Sequence, residues 1–212
     1  MHSRIVIVSG GHLDDWALEQ FDSSDFIIAA DRGADFLVRH GVNPDIAIGD
    51  FDSVSPEAFE RIQACSGKTI ACDPIDKNDT DTEMAMRLAL DIHPGVILLL
   101  GATGTRFDHT LANVHLLALA ADIGIEAILR DKHNEIRLVV DQCRMKAGPY
   151  TQVSLLPLSE KVTGISLIGF QYPLHDATLS IGQSLGISNV LLESEGFIQI
   201  AQGKLLVIAS MD

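Results

Sequence analysis

The sequence predicts an α/β fold: an N-terminal, doubly wound, mostly parallel sheet domain, followed by a C-terminal antiparallel β-sandwich domain. Three observations predict it. Short β-branched runs alternate with helix-period segments until about residue 131. Helical periodicity then stops, and short strands separated by turn residues take over. Acid-rich motifs fall where strands give way to helices, which is the end of a parallel sheet where ligands bind.

Arg4–Ser9 (RIVIVS) reads as a buried strand, followed by Gly10-Gly11 and a helix near Leu13–Phe21. Phe26–Ala30 is the second strand, and Arg32–His40 a short helix closed by Gly41. Ile46–Gly49 is a third strand. Pro56 then stands where the first turn of a helix tolerates it, and the helix runs to Cys65. Lys68–Ala71 is a fourth strand. Thr80–Ile92 carries helical spacing through Met84, Leu88 and Ile92, and Pro94-Gly95 breaks it. Val96–Leu100 (VILLL) is apolar throughout, as a strand covered on both faces should be. Asp108–Ile123 is a long apolar helix and Ala127–Leu129 another strand. After it come strands at Glu135–Val140, Gln152–Pro157, Val162–Ile168, Val190–Leu192, Phe197–Ala201 and Leu205–Ala209.

The chain has 212 residues, 47% of them apolar, which is enough for a real buried core. Its formal net charge of −14 disfavours free nucleic acid as a partner. The three cysteines, Cys65, Cys72 and Cys143, form no CxxC pair, so neither a disulfide framework nor a zinc site is expected. A reducing, cytoplasmic setting fits. No apolar run is long enough for a membrane span, and Met1-His2-Ser3-Arg4 leads straight into a strand, so no signal peptide or anchor is expected.

Four junctions carry the chemistry. In Gly49-Asp50-Phe51-Asp52-Ser53, alternation sends both carboxylates to one side and Phe51 to the other. They repel unless solvent, a proton or a metal intervenes; an acidic turn capped by Ser53 or Ser55 is the plainer reading. Asp76-Lys77-Asn78-Asp79-Thr80-Asp81 precedes a helix, and Thr80 with Glu83 forms a capping-box pattern. Four acids exceed what a cap needs. Gly101-Ala102-Thr103-Gly104-Thr105-Arg106-Phe107-Asp108-His109 matches neither the Walker pattern nor a full GxGxxG, yet its glycines allow close approach of an anion. Asp31-Arg32-Gly33-Ala34-Asp35 is the fourth, where Asp31 reads first as a helix cap and second as a ribose contact. Carboxylates gathered at the end of a parallel sheet suit Mg²⁺ carrying a phosphate substrate. Arg32, Lys77 and Arg106 are the nearby cations. The histidines carry little information, since His109 and His115 do not share a helical face.

Taken in order, these motifs together with Leu185-Gly186-Ile187-Ser188-Asn189 resemble the thiamine pyrophosphokinase family along nearly the whole chain. The resemblance implies an α/β catalytic domain over 1–132 that binds ATP and Mg²⁺, and a β-sandwich over 133–212 for thiamine binding and dimerisation. It implies a cytoplasmic homodimer with active sites between subunits, passing a pyrophosphoryl group from ATP to the thiamine hydroxyl. By that likeness Asp50, Asp52 and Asp81 hold the metal, and Asp81, Asp108 and Arg106 are catalytic. Asp31, Arg32, Gly33, Lys77, Thr80, Gly104, Arg106 and Asn113 meet the nucleotide. Ser188 and Asn189 meet thiamine from the partner subunit. Such families commonly carry an acid where Asn78 stands. Two other readings remain open on the motifs: an aspartyl phosphatase or nucleotide-sugar transferase with an Asp-x-Asp, and a nucleotide-sensing module without catalysis.

Overall fold

Ile5, Val6, Ile7 and Val8 of β1 (Arg4–Val8) are completely buried. The reason is their place in the sheet: β1 pairs in parallel with β2 (Phe26–Ala30) on one side and β5 (Val96–Leu100) on the other. Only apolar side chains suit a strand covered on both faces. The structure is a computed structural model that describes residues 2–72 and 79–212. By its internal contacts the chain divides into two units, Met1–Lys132 and His133–Asp212.

In the first unit the strand order is β4-β3-β2-β1-β5-β6, all parallel, with β3 Ile46–Gly49, β4 Lys68–Ala71 and β6 Glu126–Arg130. The helices are α1 Asp15–Leu18, α2 Arg32–Arg39, α3 Pro56–Cys65, α4 Asp81–Ile92 and α5 Phe107–Ala121. Local chemistry fixes their starts. Ser55 accepts from the Ala58 N–H at 3.2 Å with Pro56 in the first turn, and Thr80 accepts from the Glu83 N–H at 3.2 Å. Glu83 turns instead to Arg87, 2.6 Å away. The first helix is shorter than the expected Leu13–Phe21. Asp14 caps it through the Trp16 N–H, and Arg4 takes the Gln20 carbonyl at 3.0 Å, which draws that carbonyl out of a helical ladder.

The second unit is antiparallel throughout. β7 (Asn134–Val139), β13 (Leu205–Ser210) and β9 (Gln152–Pro157) pair in the order β7-β13-β9. A second sheet runs β11 (Leu174–Ser180), β10 (Lys161–Ile168), β12 (Glu195–Gln199), β8 (Gln142–Lys146). Val153, Leu155, Leu205 and Val207 from the first set pack with Val162, Ile165, Leu179 and Ile198 from the second, a sandwich core. Two strands escape the sequence pattern. β8 (QCRMK) alternates, with Cys143 and Met145 turned to the core, but has only two apolar residues in five, and β11 (LHDATLS) carries mostly polar residues without regular apolar alternation. The expected strand at Val190–Leu192 is absent. Leu191 forms only an isolated bridge to Phe170, because the Asn189 side chain takes the Val190 N–H at 2.8 Å.

Candidate active site

The first unit's strands build outward from β1 to β4 on one side and from β5 to β6 on the other. The crevice beyond the carboxyl ends of β1 and β5 is therefore the switch point where an open α/β sheet binds ligands. A cleft of about 510 Å³ opens there, lined from the loops after β1, β2, β3 and β5 and from the start of α4. Backbone bonds join two of those loops. Gly11 donates to the Gly101 carbonyl and His12 to the Thr103 carbonyl, both at 2.7 Å. A Cβ on Gly11 would lie 2.2 Å from the Thr103 oxygen, so glycine here admits the neighbouring loop rather than an anion.

Asp50 and Asp52 both line the cleft while Phe51 is buried against Phe59, ring centroids 4.9 Å apart. The two-sided split expected from alternation is present, but its means differ. β3 ends at Gly49, and Phe51 adopts φ +56°, a left-handed turn held by the Asp52 N–H donating to Asp50 at 3.2 Å. Asp81, the first residue of α4, also faces the cleft, and a Cβ on Gly49 would stand 3.3 Å from its carboxylate.

Asp31 departs from the capping role that its position suggests. Its backbone sits at φ +49°, strained for a non-glycine residue, and its side chain makes no cap bond to α2. One carboxylate oxygen accepts from the Ser53 hydroxyl; the other is buried with no hydrogen-bond partner. Burial pushes the Asp31 pKa up. The Ser53 bond opposes this, and the charges of Asp81, Asp50 and Asp52 push it further up. Four carboxylates thus share one cleft with two guanidinium groups, Arg32 and Arg106.

Thr80, Gly104 and Asn113 also line the cleft, each already engaged by the protein. Gly104 N–H donates to the Thr110 hydroxyl at 3.1 Å, and the Asn113 amide donates to the Ala102 carbonyl at 2.7 Å, pinning the loop to α5. Gly33 is not part of the lining. A Cβ there would lie 2.2 Å from the Val8 oxygen, so Gly33 lets α2 cross β1 closely. Asp108 also falls outside the lining and pairs with Arg106 at 2.7 Å. That hydrogen bond from Arg106 is the main reason the Asp108 carboxyl drops from 3.8 to about 2. Lys77 and Asn78 lie outside the described residues.

In the second unit, Asn189 is buried and its side chain is engaged internally. Its amide donates to the Tyr172 carbonyl at 2.8 Å, and its oxygen accepts from the Tyr172 N–H at 3.0 Å as well as from Val190. Ser188 is exposed at φ +58°, its N–H donating to the Ser154 hydroxyl at 3.1 Å.

Sequence reasoning assigned no ligand-binding role to six hydroxyl residues of the cleft, Ser9, Ser53, Thr82, Thr103, Thr105 and Thr110, nor to His109. Their signal is faint but present: Ser53 and Thr82 directly follow motif aspartates, and Ser9 ends the first strand.

Comparison with known proteins finds relatives along nearly the whole chain. The family model described as thiamin pyrophosphokinase, catalytic domain, matches residues 18–129. The model described as thiamin pyrophosphokinase, vitamin B1 binding domain, matches residues 139–205. The chain is 33% identical over 193 residues to the thiamine pyrophosphokinase of Bacillus subtilis, spanning 87% of each chain. A crystal structure of thiamine pyrophosphokinase from Bacillus subtilis superposes with a TM-score of 0.91 at 32% identity, covering 99% of both chains. One of thiamin pyrophosphokinase from Geobacillus thermodenitrificans gives 0.87 at 34%, covering 99% of this chain and 98% of the other.

Proposed function

Because this chain belongs to the thiamin pyrophosphokinase family, we propose that its cleft passes a pyrophosphoryl group from Mg²⁺-bound ATP to the hydroxyl of thiamine, releasing thiamine diphosphate and AMP. The observation that carries the cleft assignment is its charge: four carboxylates against two guanidinium groups at the sheet's switch point. Such a lining repels a bare triphosphate and accepts one that arrives with a divalent cation.

The residues present fit magnesium. Among the described residues no three His, Cys, Asp or Glu form a preassembled metal-holding set. Mg²⁺ does not need one, since it keeps several waters and takes one or two carboxylates plus substrate phosphates. Asp50, Asp52 and Asp81 would hold it, and the orphaned buried oxygen of Asp31 adds negative potential behind them. A magnesium ion held by these carboxylates would supply neutralisation of the phosphate charge.

The chain's own groups do the rest. Arg32 and Arg106 offset charge on the phosphates, with Lys77 a third cation by its place in the motif. Asp108 acts by aiming Arg106, and a carboxyl held near 2 makes a poor proton acceptor at neutral pH. The depressed value also fixes the pH window. The pair is complete above the ordinary 3.8 and is lost only as pH falls through about 2. Asp108→Asn is therefore expected to leave the shape of the kcat profile between about pH 5 and 9 unchanged. It should raise the KM for ATP by up to about fivefold, the worth of an exposed pair. Loss of an acidic limb, the fall in rate as a base takes up its proton, would restore Asp108 as the base.

Thiamine is assigned to the second unit through the exposed Ser188. Leu185, Ile187, Tyr172 and Leu192 leave large apolar surface exposed around this turn, which supports a homodimer covering it. Cys65, Cys72 and Cys143 form no disulfide, which fits the cytoplasm; among the described residues no helix is long and apolar enough to cross a membrane. The deciding assay is incubation with ATP, Mg²⁺ and thiamine. AMP release that requires thiamine supports transfer, whereas phosphate release without thiamine points to a phosphatase.

A further inference from the structure

We propose that Ser9 and Thr82 form a hydroxyl pair that donates to a phosphate oxygen of the bound nucleotide, an inference that rests on the ATP reading above. Ser9 is only 3% exposed, one of three buried polar residues among those described. The other two, Asn113 and Asn189, have side chains engaged by backbone groups. Ser9 is fixed to β5 by its N–H, which donates to the Leu100 carbonyl at 2.9 Å. Its hydroxyl meets that of Thr82 at 2.9 Å, a contact joining the end of β1 to the first turn of α4.

Proton counting makes the pair informative. Two hydroxyls carry two protons, and the bond between them uses one. Among the described residues no acceptor takes the second, whichever hydroxyl holds it. A sheltered hydroxyl proton without an acceptor is unfavourable. Both residues line the cleft, so a group bound there lies within reach of that proton and can accept it. Nearby backbone donors are already engaged: Gly11 and His12 on the opposite loop, Gly104 on Thr110. A polyphosphate oxygen is the acceptor that the family's substrate brings.

Calorimetric titration of ATP and of adenosine in magnesium buffer tests this with binding alone as the readout. Ser9→Ala and Thr82→Val are each expected to weaken ATP binding about tenfold, as loss of a hydrogen bond to a charged group does, with adenosine unaffected. The double variant should bind ATP no worse than the weaker single, since the hydroxyls act as one unit. Thr82→Ser, which restores the hydroxyl, should bind like the wild type. Unchanged ATP affinity, or equal weakening for adenosine, would overturn the proposal. If Ser9→Ala does not fold, Thr82→Val, which preserves volume at a half-buried position, decides alone. Wild-type AMP release with thiamine is run beside these. Its absence would sink the functional reading, whereas an active wild type with indifferent variants would sink only the hydroxyl pair.

Discussion

Asp81→Asn is expected to lower kcat by about 10²- to 10³-fold, the loss of several kcal/mol of charge stabilisation in the transition state. The substitution keeps the side chain's shape and its place at the first residue of α4. What it removes is one negative charge from a cleft where Asp31, Asp50 and Asp52 already repel one another. Folding should hardly notice. A charge lost from the helix start costs about 0.3–1 kcal/mol, and relief of repulsion offsets part of that. The expected signature is therefore a nearly inactive protein whose thermal unfolding stays close to that of the wild type. Chelation of the wild type should give the same loss and magnesium should reverse it, while the variant should respond only at much higher magnesium. A variant retaining more than about a tenth of the wild-type kcat would remove Asp81 from the metal-holding group, because so small a loss is within reach of an exposed hydrogen bond. Asp52→Ala should behave alike, with a smaller structural consequence, since Asp52 is exposed and its neighbour Phe51 provides the burial.

Position along the sheet is written in composition, whereas the direction in which a side chain points is not. Apolar runs such as VILLL declare a strand covered on both faces, and the aspartates after the strands declare the ligand end of the sheet. Convergence is legible because topology forces it: loops after parallel neighbouring strands emerge on the same edge. Orientation is not legible. Asp31 reads as a cap, and only its left-handed backbone turns it to Ser53. Gly33, given to the nucleotide by resemblance, makes room for protein backbone instead, as Gly11 does, an approach set by packing between distant segments. β11 stays hidden because a strand of half-exposed polar residues pairs through backbone groups that leave no mark on composition, and β8 because two alternating apolar residues, Cys143 and Met145, are too short a pattern.

Asn189→Ala is the second large effect, and it falls on stability. The motif resemblance assigns Asn189 to thiamine, but its side chain satisfies the Tyr172 N–H, the Tyr172 carbonyl and the Val190 N–H in a buried setting. Alanine leaves these groups without partners, at a cost of about 2–4 kcal/mol. Denaturant unfolding of the full chain should register it. Ser188→Ala provides the counterpart. Its hydroxyl belongs to an exposed residue, so stability should stay within about 0.5 kcal/mol while the KM for thiamine rises. The two variants separate the turn-holding role of Asn189, whose side chain bonds Tyr172 and Val190, from the substrate contact proposed for Ser188. If Asn189→Ala kept wild-type stability and raised only the thiamine KM, the buried amide would have to turn outward when substrate binds, and the division of labour between the two neighbours would be reversed.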